Sequence, residues 1–140
     1  MDEMLELGRQ ILAAQPFSVL IGAELISFSA GSAELKVSAK PELKQQHGFL
    51  HGGVVSYLAD NALTYAGGTA LRVPVLTGEF KINYVRPALG ERLVARATAV
   101  HVGKTQAVCR CDVFAVGQAG ERLCAMAQGT IVAAPEQSSM

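Results

Sequence analysis

Asp60 is a lone carboxylate in an apolar segment, nine positions after His51 in the turn His51-Gly52-Gly53. A carboxylate held beside a reacting carbonyl serves acyl transfer as a general base or as a nucleophile. Two consecutive glycines let backbone N–H groups approach a ligand closely. A helix starting at that turn would add unpaired N–H donors and a positive dipole end, both of which favour a developing oxyanion. The same residues also fit a glycine turn entering a core helix that carries one solvated Asp, and spacing alone leaves both readings open.

Such chemistry needs a helix that carries Asp60 and a scaffold that holds the helix. From about Val54 to Leu71, Leu58, Ala62, Tyr65 and Ala66 fall on one helical face, while Ser56, Asp60 and Thr64 recur at four-residue spacing on another. Gly67-Gly68 weakens the last turns, and Pro74 ends any continuation. The polar stretch Pro41 to Gly53 reads as a loop delivering the chain to this helix. Upstream, residues 2 to about 15 read as a short helix with Leu5, Leu7, Ile11 and Leu12 to one side, broken at Pro16. From Ala23 to Ala39 the period changes to two around the turn Ala30-Gly31-Ser32, which gives an antiparallel hairpin.

Four further strands are expected at about 76–86, 92–102, 105–116 and 121–133. Phe80, Ile82 and Tyr84 alternate in the first, Ala95, Ala97 and Ala99 in the second, Cys109, Cys111 and Val113 in the third, and Ala125, Ala127 and Ile131 lie in the fourth. Strand faces this small need a bulky element close against them, and the long helix is the only candidate. The pattern therefore predicts an α+β domain, a curved antiparallel sheet wrapped around one central helix. One domain is expected over residues 1–140, with a disordered tail from about Ala134 to Met140.

Half of the 140 residues are hydrophobic and only 17% are charged, an apolar balance that predicts surface covered by another subunit. Twelve basic and twelve acidic residues cancel, so there is no global electrostatic case for nucleic acid or an anionic membrane. Three cysteines make no even disulfide framework, and reduced thiols in a cytoplasmic protein are expected. The acidic start lacks the basic region of a signal peptide, and no apolar run reaches membrane-spanning length.

Competing motifs fail on their own spacing. Gly103-Lys104-Thr105 resembles the end of a phosphate-binding loop, but Thr98 stands where that motif needs glycine. His47 and His51 have helical ligand spacing, yet the glycines around them argue against helical geometry, so no metal is expected. His101 reads as a strand-surface residue. The three cysteines lie in apolar strands without an activating base.

The run Gly48-Phe49-Leu50-His51-Gly52-Gly53, the acid Asp60 and the later strand Phe80-Lys81-Ile82-Asn83-Tyr84-Val85-Arg86-Pro87-Ala88 together resemble the hotdog-fold acyl-CoA thioesterases of the PaaI-like, phenylacetate-pathway type. The likeness extends from about Phe17 to Val132. It implies that Asp60 is the catalytic carboxylate and that the Gly52 N–H donates to the thioester oxygen. It further implies that Gln45 stands where the family has an Asn that helps hold the carbonyl, and that His51 supports the loop by hydrogen bonding. Thr77 would be the hydroxyl that orients the attacking water. The family forms its site across a homodimer, and two dimers often associate. Arg86 and Lys104 would then meet the phosphates or pantetheine of coenzyme A, which enters as part of the substrate, so no separate cofactor is implied. Gly53 belongs to the same binding turn, and Phe49, Val54, Tyr57 and the small run Ala66-Gly67-Gly68 could shape a pocket for a medium- to long-chain or aryl acyl group. A non-catalytic acyl-CoA sensor or carrier is the alternative, but the chain has no room for a helix-turn-helix output module. A hydratase or dehydratase fits less well, because those relatives pair a His and an acid in a different motif.

Overall fold

The computed structural model describes residues 2–135. The chain starts with α1 (Glu3–Ala13), where the Asp2 carboxylate caps the helix by accepting from the N–H groups of Met4 and Leu5 at 3.1 and 3.2 Å. Pro16 does not simply break this helix. It occupies the first turn of a second one, α2 (Pro16–Ile21), where a missing N–H costs nothing. The sequence reading of a single helix to residue 15 missed that element.

The hairpin follows as β1 (Glu24–Ser29) and β2 (Ser32–Ser38), then a 3-10 turn at Pro41–Leu43 and the 20-residue helix α3 (Gly52–Leu71). Four strands complete the chain: β3 (Val75–Tyr84), β4 (Arg92–Val102), β5 (Gln106–Gly117) and β6 (Gly120–Ala133). Every strand pair is antiparallel, and the order across the sheet is β1-β2-β4-β5-β6-β3. α3 touches all six strands, so the sheet curls around it as the strand composition predicts.

Ala95, Ala97, Cys109, Cys111, Ala125 and Ala127 form the small-residue inner face, each at most 4% exposed. Leu58, Ala59, Ala62, Leu63 and Ala66 of α3 are fully buried against it. Gly67 does not fray the helix, which continues to Leu71. A Cβ there would sit 2.6 Å from Cβ of Ile131, so glycine is what lets α3 approach β6. Arg72 caps the helix in the left-handed region at φ 63° before Pro74. Of the expected tail, residues 136–140 lie outside the described residues, while Ala134 is held by its N–H on the Pro74 carbonyl at 2.8 Å.

β3 is an edge strand, paired only with β6. Its register slips between Thr77 and Glu79, a bulge at Gly78. Simple alternation from Phe80, Ile82 and Tyr84 would put Leu76 inward and Thr77 outward. The extra residue reverses the phase, so Thr77 is partly buried opposite Ile131 and Leu76 is 51% exposed. No helix among the described residues is long and apolar enough to cross a membrane.

Candidate active site

Two groups of residues stand at different points along α3. At its start, His51 is the N-cap in extended backbone, and its Nδ1 accepts from the Gly53 N–H at 2.8 Å. An accepting Nδ1 carries no proton in this contact, which leaves Nε2 as the ring's donor atom. The N–H groups of Val54 and Val55 are satisfied by the His51 carbonyl at 3.0 and 3.3 Å. Among the described residues the Gly52 N–H has no protein acceptor, so the first turn leaves one donor open at the positive end of a 20-residue helix.

This donor lies in a cavity of about 510 Å³ whose wall includes Gln45, Phe49, Val55, Tyr84 and Arg86. The Gln45 side-chain oxygen is already engaged inside the loop, accepting from His47 N–H at 2.5 Å and Phe49 N–H at 3.3 Å. Its amide nitrogen carries the only donors it can still offer. Tyr84 covers the turn and donates to the Gly52 carbonyl at 3.3 Å. Arg86 is anchored by Nη1 on the Leu123 carbonyl at 2.7 Å, with an exposed guanidinium.

Two turns further along, Asp60 is half-buried and points to β3. The Thr77 hydroxyl donates to Asp60 Oδ1 at 2.6 Å, and Thr64 Oγ1 lies 3.1 Å from Thr77 Oγ1. Thr64 itself donates to the Asp60 carbonyl at 2.8 Å. With the Thr77 proton on the carboxylate and the Thr64 proton on the Asp60 carbonyl, neither hydroxyl has a proton for the other, and the Thr77 oxygen can accept from a water. The site thus presents a carboxylate oriented through one oxygen, while the other has no hydrogen-bond partner among the described residues.

Gly52 and Asp60 are eight residues apart on one helix, roughly 12 Å along its axis at the usual rise. One chain therefore does not bring its own donor and its own acid to a single carbonyl.

The remaining predicted residues are spread out. Gly53 has its N–H used by the His51 cap, and a Cβ at Gly53 would crowd that ring nitrogen at 3.0 Å. Val54 is buried at 6% in the main core, and its neighbour Val55 reaches the cavity instead. Tyr57 faces α2: its hydroxyl donates to Ser18 Oγ at 2.6 Å, accepts from Asn61 Nδ2 at 3.1 Å, and its ring meets Phe17 edge-on. Lys104 lies in the exposed turn between β4 and β5, a hairpin connection rather than a strand-to-helix phosphate loop. Arg86 is level with Cys124 of β6, and the Lys104 turn is level with Val132. Those levels are roughly 25 Å apart at the usual strand rise, so one chain does not place the two cations together.

All three thiols are at most 1% exposed, and burial pushes them up to about 11 for Cys109, 12 for Cys111 and 11 for Cys124. None supplies a thiolate nucleophile at neutral pH. Tyr84, Val55 and Thr64 were not among the residues predicted for the site, although Thr64 shares the four-residue spacing of Asp60 and Tyr84 ends the inward alternation of β3.

The sequence model of the thioesterase superfamily matches residues 47–121, which contain α3 and the strands β3, β4 and β5. A solved thioesterase family protein from Silicibacter pomeroyi is 38% identical and superposes with a TM-score of 0.84 over 89% of this chain and 93% of that one. The phenylacetic acid degradation protein PaaI from Thermus thermophilus, solved as a point mutant, is 30% identical, with a TM-score of 0.76 over 86% of this chain and all of that one. The medium/long-chain acyl-CoA thioesterase YigI of Escherichia coli K12 is 26% identical over 76% of this chain and 79% of its own. The chain belongs to the thioesterase superfamily and is a thioester hydrolase of its PaaI-like hotdog branch.

Proposed function

We propose that the protein hydrolyses an acyl-CoA thioester to the free acid and coenzyme A, with Asp60 of one subunit and the Gly52 N–H of another serving one site. The observation that carries this reading is the Thr77–Asp60 contact at 2.6 Å, which aims a carboxylate from the middle of α3 at the open side of β3. The roughly 12 Å between Asp60 and its own Gly52 supports completion by a second copy. β3 is a ten-residue edge strand with no partner on its far side among the described residues, a surface suited to pairing with its own symmetry mate. Twofold pairing there would run the two α3 helices antiparallel and bring one chain's Asp60 toward the other's Gly52.

In this reading Asp60 is the general base. A water held by the Thr77 oxygen attacks the thioester carbon, and its proton passes to the free Asp60 oxygen. The carbonyl oxygen takes the negative charge and accepts from the Gly52 N–H, where the helix terminus stabilises it. Collapse of this intermediate breaks the C–S bond, and the departing thiolate takes the proton back from Asp60. Gln45 contributes its amide N–H₂ to the same cavity, and the Arg86 guanidinium at the rim meets the phosphates or pantetheine of coenzyme A.

A single-turnover reaction in H₂¹⁸O tests the assignment. General-base catalysis puts ¹⁸O into the first equivalent of acid and leaves Asp60 unlabelled. An unlabelled first product with label in Asp60 would instead identify a nucleophile that forms an anhydride. Absence of thiol release across acyl-CoA chain lengths would overturn the substrate assignment.

A further inference from the structure

A second cavity, of about 640 Å³, lies between α1 and the C-terminal half of α3, and nothing above uses it. Its outer wall is the stripe Met4, Leu7 and Ile11, at helical spacing on α1 and 39, 56 and 47% exposed. α1 buries its other side, Gly8 and Leu12, and is fixed to the domain by Tyr65 Oη on the Gly8 carbonyl at 2.8 Å and Arg9 Nε on the Leu25 carbonyl at 3.1 Å. The floor is the edge-on pair Phe28 and Tyr65. α1 therefore has two apolar faces, of which one has no partner among the described residues.

What occupies the groove is indicated by its inner end. Thr64 lines it, and Thr64 Oγ1 lies 3.1 Å from the Thr77 hydroxyl that holds Asp60. The groove thus opens one side chain away from the carboxylate. Of the other polar groups along it, Gln15 Oε1 accepts from Ser18 Oγ and Asn61 Nδ2, and Thr69 Oγ1 accepts from the Gly31 N–H and is within donating reach of the carbonyls of Ser29, Tyr65 and Ala66, while the one charged residue of the wall, Arg72, stands at the end of α3 away from Thr64. Between Thr64 and Arg72 the wall is mostly apolar, with Met4, Leu7, Ile11, Phe28 and Tyr65 along it, which suits an apolar ligand that ends short of the cation.

We infer that Met4, Leu7 and Ile11 of α1 form the wall of the acyl-chain channel and make the enzyme selective for aliphatic chains of medium length. The inference rests on the acyl-CoA reading above. Thr64 to Arg72 spans roughly 12 Å of helix, and an extended alkyl chain advances about 1.3 Å per carbon, so about nine carbons fit beyond the carboxylate. Each methylene that enters raises kcat/KM about fourfold, up to that length and no further.

The test is kcat/KM for straight-chain acyl-CoAs from four to fourteen carbons with wild type, Leu7→Trp, Ile11→Trp and the control Val19→Trp on α2. An indole that fills the groove should lower the ratio of decanoyl- to butyryl-CoA efficiency at least tenfold in both α1 variants and leave it unchanged in the control. An unchanged ratio with hydrolysis intact would overturn the channel while sparing the thioesterase reading. A change of oligomer mass on light scattering for either α1 variant would also overturn it, since a second copy would then be what covers the stripe. If no acyl-CoA is hydrolysed, calorimetric binding of the S-decyl-CoA thioether decides instead: a tenfold weakening by Leu7→Trp supports the channel, and equal binding refutes it.

Discussion

Thr77→Val isolates the contact on which the proposed chemistry depends. The substitution keeps the β-branched shape on β3, opposite Ile131, and deletes only the hydroxyl that donates to Asp60 Oδ1 at 2.6 Å. A hydrogen bond to a charged group is worth about 1.5–3 kcal/mol, and about 1.4 kcal/mol is a factor of ten in rate. If the contact serves to orient the base, kcat/KM should fall about 10- to 150-fold. Asp60→Asn should cost about a hundredfold or more, because it keeps the shape and loses the basicity. The double variant carries the argument. In the Asp60→Asn background there is neither a carboxylate to orient nor a base to take the proton of the water that Thr77 holds, so adding Thr77→Val should cost less than about threefold. Thiol release from decanoyl-CoA gives the four rate constants, and thermal melts confirm that all four proteins are folded. Full additivity, or a Thr77→Val enzyme with wild-type rate, would refute the view that Thr77 acts through Asp60.

Gly52→Pro should delete the open N–H without breaking α3, since proline suits the first helical position and His51 at φ −62°, ψ 139° already has the backbone that precedes a proline. Its activity should fall about 10²–10³-fold with little change in melting temperature, and a normal rate would remove Gly52 as oxyanion donor. Mixing Asp60→Asn with Gly52→Pro subunits under exchange should restore about one quarter of wild-type activity, half of the dimers each having one intact site; no recovery despite proven exchange would place both groups in one chain. Arg86→Ala should raise KM for acyl-CoA several-fold with little change in kcat and should barely affect an acyl-pantetheine, while Lys104→Ala should do less; equal losses on both substrates would show that Arg86 does not read the nucleotide end. Folding stability should decline at high pH, because the folded thiols keep their protons up to about 11–12 while unfolded thiols lose theirs from about 8.5. The thiol contribution is complete below about pH 8.5 and is lost as pH rises toward 11, so urea midpoints should fall between about pH 8 and 10 and fall less steeply in Cys124→Ala.

The legible parts of this chain are those in which a side chain's position follows from local period alone. The inner faces of β4, β5 and β6, the polar face of α3 and the donor turn at Gly52 all follow from spacings of two, four and one residues. What stayed illegible depends on contacts between elements. Val55 lines the cavity and Val54 does not, because a helix turns about 100° per residue, so a pocket residue cannot be chosen without knowing which side faces the loop. Tyr57 faces α2, which the sequence concealed behind a proline that both stops one helix and starts another. Arg86 and Lys104 each lie two residues past the end of a strand, but their separation follows from β3 pairing with β6 rather than with β4, its neighbour in sequence. The sharpest case is Thr77. Period-two alternation through Phe80 and Ile82 turns it outward, and only the bulge at Gly78 brings it onto Asp60. A bulge adds one residue and no compositional mark beyond a glycine, which is also what a turn or a close approach would show. The edge position of β3 then links these facts. The strand that carries the acid's partner has no neighbour on its far side among the described residues, and the donor matching that acid lies roughly 12 Å away in the same chain. In the proposed reaction, that one open edge would account both for a half-site in each subunit and for where its complement comes from.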